Sequence, residues 1–301
     1  DDESCESHEK GIYETTDYDG NPTYYYRGSV ENNYVKFAGY YWRIIRINGN
    51  GSIRIIYDGT SAHENGESST DRRYVTSQFN PNWNNNMYVG YMYTSGEAHG
   101  TGTSSIIKTT VDKFYTDKLA SYASKLDTNA GFCGDRSNLN NQSGVGTGTV
   151  TTYNKGYLRV VESAPTLACG NASDYYTVAS ASSGNKKLSY PIGLIIADEV
   201  MLAGHAGGVF DGTYKHQKTN NGSYLVTGNG FWTMTPAGGY NPFGFTGWHA
   251  RVFYVSGSVF YSGGFADDHA GTALGLRPVI NLKSDVTITG SGTINDSYIV
   301  S

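Results

Sequence analysis

The stretch Phe37-Ala38-Gly39-Tyr40-Tyr41-Trp42-Arg43-Ile44-Ile45-Arg46-Ile47 is followed by the turn signal Asn48-Gly49-Asn50-Gly51 and a second apolar run, Ser52–Tyr57. In both runs β-branched and aromatic side chains alternate with polar ones, which is typical of half-buried strands. An Asn-Gly turn between such runs predicts an antiparallel hairpin. Together with the preceding runs Thr23–Ser29 and Tyr34–Phe37, the stretch predicts a meander of three or four strands. We expect its buried side chains to be Trp42, Ile44, Ile47, Ile53 and Ile55.

The rest of the chain predicts two helices and further strands. Ser104–Leu126 carries apolar residues at helical spacing, with Ser104 or Ser105 as N-cap, and Ile196–Ala203 predicts a shorter helix closed by Gly204. We expect strands to return at Phe231–Thr235, Ala250–Val255, Ser258–Ser262 and Leu276–Leu282. Since no strand–helix–strand alternation recurs, the sequence predicts an α+β fold of antiparallel sheets with two helices and long loop insertions.

Turn-rich segments divide the chain into three parts. We expect residues 1–22, which are acidic, to form a tail or linker, residues 23–283 to form one domain, and residues 284–301 to form edge strands or a tail. The longest loop region, 58–103, is typical of a functional insertion. Within it, Trp83 is expected to anchor the Asn80–Asn86 segment at the surface.

Composition excludes two broad functions. The chain has 22 lysine and arginine residues against 27 aspartate and glutamate residues, so it lacks the cationic excess of a nucleic-acid binder. It contains no apolar run of about 18 residues, and we expect no direct membrane insertion. Abundant Ser, Thr, Asn, Gly and Tyr favour an extracellular protein.

Three cysteines leave one without a partner. Cys133 and Cys169 both stand beside glycine in loop settings, which predicts a disulfide between them. Cys5, in the charged N-terminal segment, is then either unpaired or bonded outside this segment. The alternative is that all three are buried or incidental thiols. No Cys-x-x-Cys pair with nearby histidines indicates a zinc site.

No catalytic constellation stands out in the sequence. The seven histidines lack the paired spacing of metal ligands, and no Gly-x-Ser-x-Gly motif occurs. The carboxylates of Asp198 and Glu199 occupy consecutive helix positions and should face different directions. Asp267-Asp268-His269 is the densest polar cluster, for which a solvated loop tip is favoured over a cation site. We therefore expect no catalytic residue, metal or cofactor.

The segment 237–276 has an unusual composition. Its forty residues contain no Lys, Glu, Gln or Met, although the chain has 12 lysines and 10 glutamates elsewhere. Tyr, Phe, Ser, Gly, Asp, His, Arg and Asn take their place, as in antibody paratopes, where rigid aromatic rings are combined with adaptable polar groups. The alternative is that glycine-rich turns deplete long polar residues. Val252, Val255 and Val259 are expected to face the core, and Arg251, Tyr254, Ser256 and Tyr261 to face outward.

These residues resemble a known group of proteins. The Trp232-Thr233-Met234-Thr235-Pro236 strand, the aromatic segment and Gly275-Leu276-Arg277-Pro278-Val279-Ile280-Asn281-Leu282 resemble the end of bacterial C-type-lectin-fold proteins. That group includes the variable proteins of diversity-generating retroelements, in the formylglycine-generating-enzyme-like branch. Phe37–Ile47 is similar to the opening of uncharacterised surface proteins of gut Firmicutes. The resemblance covers residues 23–283, with its motifs at the two ends, and implies a C-type-lectin-like fold.

The resemblance also implies a set of contact residues. In the retroelement family, mutagenised asparagine codons give Tyr, Phe, Ser, Gly, Asp, His or Arg, but never Lys, Glu, Gln, Met or Trp, which matches the composition of 237–276. Trp248 departs from this code and is expected to be a fixed position. The implied ligand-binding residues are Tyr240, Asn241, Phe243, Phe245, Trp248, His249, Arg251, Tyr254, Ser256, Tyr261, Asp267, Asp268 and His269.

Two activities of related proteins are not expected here. Formylglycine-forming relatives use cysteines near this region, and none follows Cys169. Calcium-dependent lectins present a Glu-Pro-Asn or Gln-Pro-Asp type of loop, of which Asn241-Pro242 is only a fragment.

Together with this resemblance, the sequence predicts a non-catalytic protein of the adhesin or receptor-binding type, displayed on a bacterial cell surface or a phage particle. Its hypervariable, aromatic-rich surface at 237–272 would bind a protein or glycoconjugate on another cell or surface. The first alternative is a structural pilus or surface-layer subunit, which would self-associate. A carbohydrate-active enzyme is less favoured, because it needs two carboxylates about 5–10 Å apart in a cleft. The sequence makes no prediction of the oligomeric state.

Overall fold

The structure is a computed structural model that describes residues 10–139, 152–178, 184–205, 223–240, 249–255 and 265–301, and only the backbone of residues 240 and 265–267. Its strands are β1 Gly11–Thr16, β2 Pro22–Arg27, β3 Tyr34–Phe37, β4 Tyr40–Ile47, β5 Ile53–Gly59, β6 Val75–Gln78, β7 Met92–Tyr93, β8 Thr103–Ser104, β9 Phe132–Cys133, β10 Thr152–Tyr153, β11 Tyr175–Tyr176, β12 Ile192–Gly193, β13 Phe231–Tyr240, β14 His249–Val255, β15 Phe265–His269, β16 Ala273–Leu276, β17 Val279–Leu282, β18 Ile288–Thr289 and β19 Tyr298–Val300. Its α-helices are α1 Ile106–Phe114, α2 Lys155–Glu162 and α3 Ala197–Leu202. The fold is α+β, as predicted.

The predicted meander lies in the centre of a nine-stranded sheet. β3, β4 and β5 pair antiparallel, with Val35 opposite Trp42 and Ile44 opposite Ile55. The sheet runs in the order β12-β17-β5-β4-β3-β19-β18, and β2 branches from β4 and carries β1. Of the expected core positions, Trp42, Ile44 and Ile55 are buried, while Ile47 and Ile53 are half-buried. β1 lies within the segment that we expect to be a tail and pairs with β2 along its whole length.

A second sheet has six strands, in the order β15-β14-β13-β16-β6, with β10 beside β13. The run Leu276–Leu282, expected as one strand, is divided between the two sheets. β16 ends at Leu276 in the six-stranded sheet, and β17 begins at Val279 in the nine-stranded sheet. The break falls at Arg277-Pro278 because proline has no amide hydrogen with which to continue a ladder. The expected strand Ser258–Ser262 lies outside the described residues.

The described residues contain three α-helices where the sequence predicts two. The two-helix prediction is wrong because α2 is short and has glycine in its first turn, which is unfavourable for a helix. Its Leu158 and Val161 are exposed. α1 begins after its Ser105 cap, whose Oγ accepts from the Lys108 N–H at 3.3 Å.

The predicted helix Ser104–Leu126 continues beyond α1 with a different geometry. A π-helical turn follows at Tyr115–Leu119, and a 3₁₀ helix at Ala120–Lys125. The change of winding rotates Tyr122 away from the buried face, so that Tyr122 is 39% exposed although it falls at helical spacing.

One continuous apolar core lies between the two sheets and includes the indoles of Trp42 and Trp232. α3 contacts β13 and β14 of one sheet and β2 of the other, and all six of its residues are buried. As expected, its adjacent carboxylates face different partners. Asp198 binds Arg159 of α2 at 2.7 Å, and Glu199 binds Arg46 of β4 at 2.9 Å.

A buried ion cluster joins the sheets at the crossing from β16 to β17. The carboxylate of Asp58 lies 2.7 Å from Arg277, 2.9 Å from Arg72 and 3.9 Å from Arg43, and all four side chains are at most 1% exposed. The Arg277 Nε also donates to the carbonyl of Tyr57 at 2.8 Å. A single carboxylate therefore serves three guanidinium groups in the interior.

The predicted disulfide between Cys133 and Cys169 is present and spans 36 positions of the sequence. It fastens β9, which pairs with β11, to the loop that follows α2. Cys5 lies outside the described residues. In the described part of the chain, every helix is too short or too polar to cross a membrane.

Candidate functional site

The part of the predicted binding surface that the structure describes is built on β14. Along this strand Ala250, Val252, Phe253 and Val255 are at most 1% exposed and pack in the core. His249, Arg251 and Tyr254 are half-buried. Val252 and Val255 are thus buried and Arg251 and Tyr254 partly exposed, as expected, but β14 pairs with β15 without a bulge, so Arg251 and Tyr254 lie on opposite faces of the strand. Val259 lies outside the described residues. β14 is held on both sides, by β13 and β15, so it is a rigid support for these side chains.

Three rings from separate segments meet at one end of β14. The indole of Trp83 is perpendicular to the His249 imidazole, with 4.6 Å between ring centroids. The same indole lies 5.2 Å from the ring of His269, at the end of β15, and the two imidazoles are 5.6 Å apart. Trp83 is 39% exposed, so its indole is a large apolar surface available to a ligand. We call Trp83, His249 and His269 the ring cluster.

Backbone hydrogen bonds fix the ring cluster in place. The Ala250 N–H donates to the carbonyl of Trp83 at 2.7 Å, and the Asn80 N–H donates to the carbonyl of Ala270 at 2.9 Å. These bonds tie the loop that contains Trp83 to the ends of β14 and β15. The middle of the Asn80–Asn86 segment lies at the surface, as expected, while Asn80 and Asn86 are buried and the indole of Trp83 is itself exposed.

Small and polar residues after β15 complete the cluster. A Cβ on Gly271 would lie 2.6 Å from Cδ1 of Trp83, so only glycine lets the indole approach. The Thr272 Oγ1 lies 3.3 Å from Nε2 of His269. The Asp268 carboxylate accepts from the backbone N–H of His269 at 2.7 Å. Asp268 and His269 belong to β15, so the expectation that 267–269 forms a loop tip is wrong. β15 pairs antiparallel with β14 from Phe265 to His269.

The charge state of the ring cluster depends on its surroundings. Burial lowers the pKa of His249 below its ordinary value of 6.5, and the neighbouring His269 and Arg251 lower it further, while Asp268 opposes them. A neutral imidazole can donate and accept a hydrogen bond. The cluster therefore combines aromatic area with a donor and an acceptor at neutral pH.

The structure brings together only some of the predicted contact residues. His249, Arg251 and His269 share the outer part of the β14–β15 pair, where Arg251 is directly opposite His269. Tyr254 lies further along β14, 6.1 Å from the ring of Trp232. The following predicted contacts lie outside the described residues, or have side chains that are not described: Tyr240, Asn241, Phe243, Phe245, Trp248, Ser256, Tyr261 and Asp267.

The sequence does not assign Trp83 to the site, and it does not single out Gly271 or Thr272 within the 237–272 surface. Trp83 lies more than 150 positions before β14, and no motif links the two segments. The available signal was a lone tryptophan in a polar loop, which is more often an anchor or a contact than a core residue. Trp232 is fully buried and donates from Nε1 to the carbonyl of Ser77 at 2.9 Å, so it supports the site from within the core.

One other cluster has the residue types of a nucleophilic triad. His63 lies 2.8 Å from Glu67 through Nδ1, and its Nε2 is 3.3 Å from Oγ of Ser61. However, Nε2 is closer to the Asp71 carboxylate, at 2.8 Å, and Ser61 itself donates to Asp71. The hydrogen bond from His63 holds the pKa of Glu67 below its usual value. The imidazole thus links two carboxylates across a loop and is not placed to take a proton from Ser61.

The described residues contain no group of three or more His, Cys, Asp or Glu side chains arranged to hold a metal ion. Comparison of the chain with protein-family models, with curated proteins and with solved structures finds no match.

Proposed function

We propose that this chain is a non-catalytic extracellular binding protein of C-type-lectin-like fold, which holds a protein or glycoconjugate through the surface formed by 237–272 and Trp83. The observation that carries the proposal is the ring cluster. An exposed indole and two imidazoles from three segments are fixed at one end of β14, where the Ala250 N–H donates to the carbonyl of Trp83. Rigid aromatic groups with polar neighbours bind partners at low entropic cost.

The retroelement resemblance is part of this proposal. It implies that 237–274 varies between copies of the gene while the supporting residues stay constant. Trp232 and Arg277, which flank the segment, are both at most 1% exposed and hold the strands that carry it. Substitutions at outward positions of β14 would leave that support intact. The Cys133–Cys169 disulfide favours an oxidising, extracellular location for the protein.

The direct test is binding to an array of glycans and of extracellular proteins. A partner found in this way is then titrated against Trp83→Ala and Tyr254→Ala. Each substitution removes aromatic contact area, and loss of a central aromatic residue costs about 2 kcal/mol, or roughly 30-fold in Kd. Tyr24→Ala is the matched control, because Tyr24 is 43% exposed on the nine-stranded sheet. Unchanged affinity of both site variants would overturn the proposal.

Diversification is tested separately, by sequencing the 3′ end of the gene across strains. We expect substitutions to concentrate at 237–274, to spare Trp232 and Arg277, and to have a nearly identical template copy nearby. If 237–274 is as constant between strains as β13 and β17, the retroelement part of the proposal is wrong. The protein would then be an adhesin with a fixed binding surface.

One observation favours a second candidate, a structural subunit that self-associates. Within the described residues β1 pairs only with β2, and its Ile12 and Tyr13 side chains are 53% and 36% exposed. An open edge strand with apolar side chains can pair with another chain. Sedimentation of the protein at increasing concentration tests this, and Ile12→Lys should abolish any association that uses this edge. A monomer at every concentration contradicts it.

A further inference from the structure

A cleft of about 290 Å³ opens on the nine-stranded sheet, away from the ring cluster. It lies between the β1–β2 turn, the outer ends of β4 and β5, and the start of α3. Its size is at the lower end of small-molecule sites, so it suits a ligand of a few heavy atoms rather than a polymer. None of its lining residues belongs to the 237–272 surface.

The floor of the cleft carries uncompensated positive charge. Glu199 accepts from Nε of Arg46 at 2.9 Å, and one of its oxygens lies 2.6 Å from Nε of Arg54. Two guanidinium groups thus share one carboxylate, which leaves one positive charge. The side chain of Arg46 is 12% exposed and that of Arg54 only 1%, so Arg46 is the cation that a ligand can reach.

The rim of the cleft is acidic. Both oxygens of Asp17 are occupied, because they accept backbone N–H groups of Asp19, Asn21 and Gly49 at 2.9–3.0 Å. Asp19 is exposed, and no group in the described part of the chain donates a hydrogen bond to its side chain. Partial burial, and then the charge of Asp17, raise the pKa of Asp19. A cation bound at the rim would offset the repulsion between the two carboxylates.

One part of the lining between floor and rim is apolar. It is formed by Leu167, Ile196, the disulfide at Cys133 and the stacked rings of Tyr18 and Tyr175, whose centroids are 3.9 Å apart. This part offers a place for a hydrocarbon group. The remaining lining is polar and includes the amides of Asn21, Asn48, Asn50 and Asn129.

We infer that this cleft binds a small zwitterion of the α-amino-acid type, with its carboxylate at Arg46, its ammonium group at Asp19 and an apolar side chain against Leu167 and Ile196. The opposite charges of the lining match the ammonium and carboxylate groups that such a ligand carries on one carbon atom, and the apolar part of the lining matches its side chain. A neutral sugar would leave the charge separation unused. A simple anion would meet the acidic rim, and a simple cation would meet the positive floor.

The test uses probes that separate these charges. L-Leucine, isoamylamine, which lacks its carboxylate, 4-methylpentanoate, which lacks its ammonium group, and methyl β-galactoside are titrated calorimetrically into the full chain. We expect L-leucine to bind with a Kd of about 1 mM or below, and each single-charge probe to bind roughly tenfold more weakly or worse. Equal binding of either single-charge probe, preference for the galactoside, or no L-leucine binding at about 10 mM overturns the inference.

Variants assign the two charges to their residues. Asp19→Asn removes the rim charge at an exposed side chain and should weaken L-leucine binding about tenfold without changing the melting temperature. Glu97→Gln, at another exposed carboxylate, is the matched control and should bind normally. Arg46→Gln should weaken L-leucine more than isoamylamine, which a purely structural role would not do. Trp83→Ala should leave L-leucine binding intact, so failure of this inference and failure of the proposed function are distinguishable.

Discussion

Gly271 lies so close to the indole of Trp83 that a methyl group on its Cα would be 2.6 Å from Cδ1. We therefore expect Gly271→Ala to displace Trp83 and to weaken partner binding, with a loss of about 1–3 kcal/mol in the free energy of unfolding. Gly230→Ala is the control, because its added Cβ would meet its neighbours at an ordinary 3.5 Å. Binding titrations and urea denaturation of the two variants check this. Equal effects of both would show that the indole does not depend on Gly271.

A second prediction concerns the protonation of the ring cluster. Burial is the largest cause of the lowered pKa of His249, followed by the charges of His269 and Arg251. We expect titration of the imidazole resonances by NMR to give a pKa below 6.5 for His249, and His269→Gln to raise that pKa without restoring it fully.

The lowered pKa of His249 also determines how the stability of the protein changes with pH. The folded state binds the proton on His249 less tightly than the unfolded chain does, so protonation favours unfolding. His249 thus has no destabilising effect above about pH 6.5, and it lowers the free energy of unfolding as the pH falls toward its folded-state pKa. A His249→Gln variant should lose this part of the pH dependence. An unchanged profile would contradict the assignment.

A third prediction concerns Asp58, the carboxylate shared by Arg43, Arg72 and Arg277. Asp58→Asn leaves three guanidinium groups without a counter-charge in the interior, so we expect a loss of at least about 3–5 kcal/mol or failure to fold. Asp285→Asn, at an exposed position, is the control and should be neutral. Chemical denaturation measures both. A loss below about 1 kcal/mol for Asp58→Asn would mean that water or relaxation satisfies the cluster.

The disulfide gives a fourth prediction. Because it closes a loop of 36 positions, its removal in Cys133→Ala/Cys169→Ala should lower the free energy of unfolding by about 3–4 kcal/mol, mainly through the unfolded chain. The double variant should still show the β-rich circular dichroism of the native chain at low temperature. Unfolding curves that are the same with and without a reductant would contradict this contribution.

Local pattern predicted much of the fold. The alternation in Tyr40–Ile47 and the Asn-Gly turn after it specify a hairpin without outside help, and the Ser105 cap marks the start of α1. The helix α2 was not predicted from the sequence, because contacts with distant segments stabilise it. Its Arg159 binds Asp198 of α3 and Asp135, partners that no local pattern reveals.

Only part of the candidate site could be predicted, because it also depends on contacts between distant segments. The strand β14 could be predicted from its apolar residues, but alternation puts Arg251 and Tyr254 on opposite faces, so their shared partial exposure does not follow from it. Trp83 joins them through the hydrogen bond between its carbonyl and the Ala250 N–H. Contacts between distant segments depend on how the two sheets pack together. The hydrophobic periodicity and the strand propensity of a sequence do not determine that packing.

The passage of the chain from β16 to β17 has a thermodynamic consequence. Only Arg277 and Pro278 separate the two sheets at this point, and both are held by the neighbouring strand: Arg277 by Asp58, and the Pro278 carbonyl by the Tyr57 N–H at 2.9 Å. Neither sheet can unfold while the side chains of the other sheet stay packed in the shared core. The two sheets should therefore melt in one cooperative step, seen in a calorimeter as a single endotherm whose van't Hoff and calorimetric enthalpies agree.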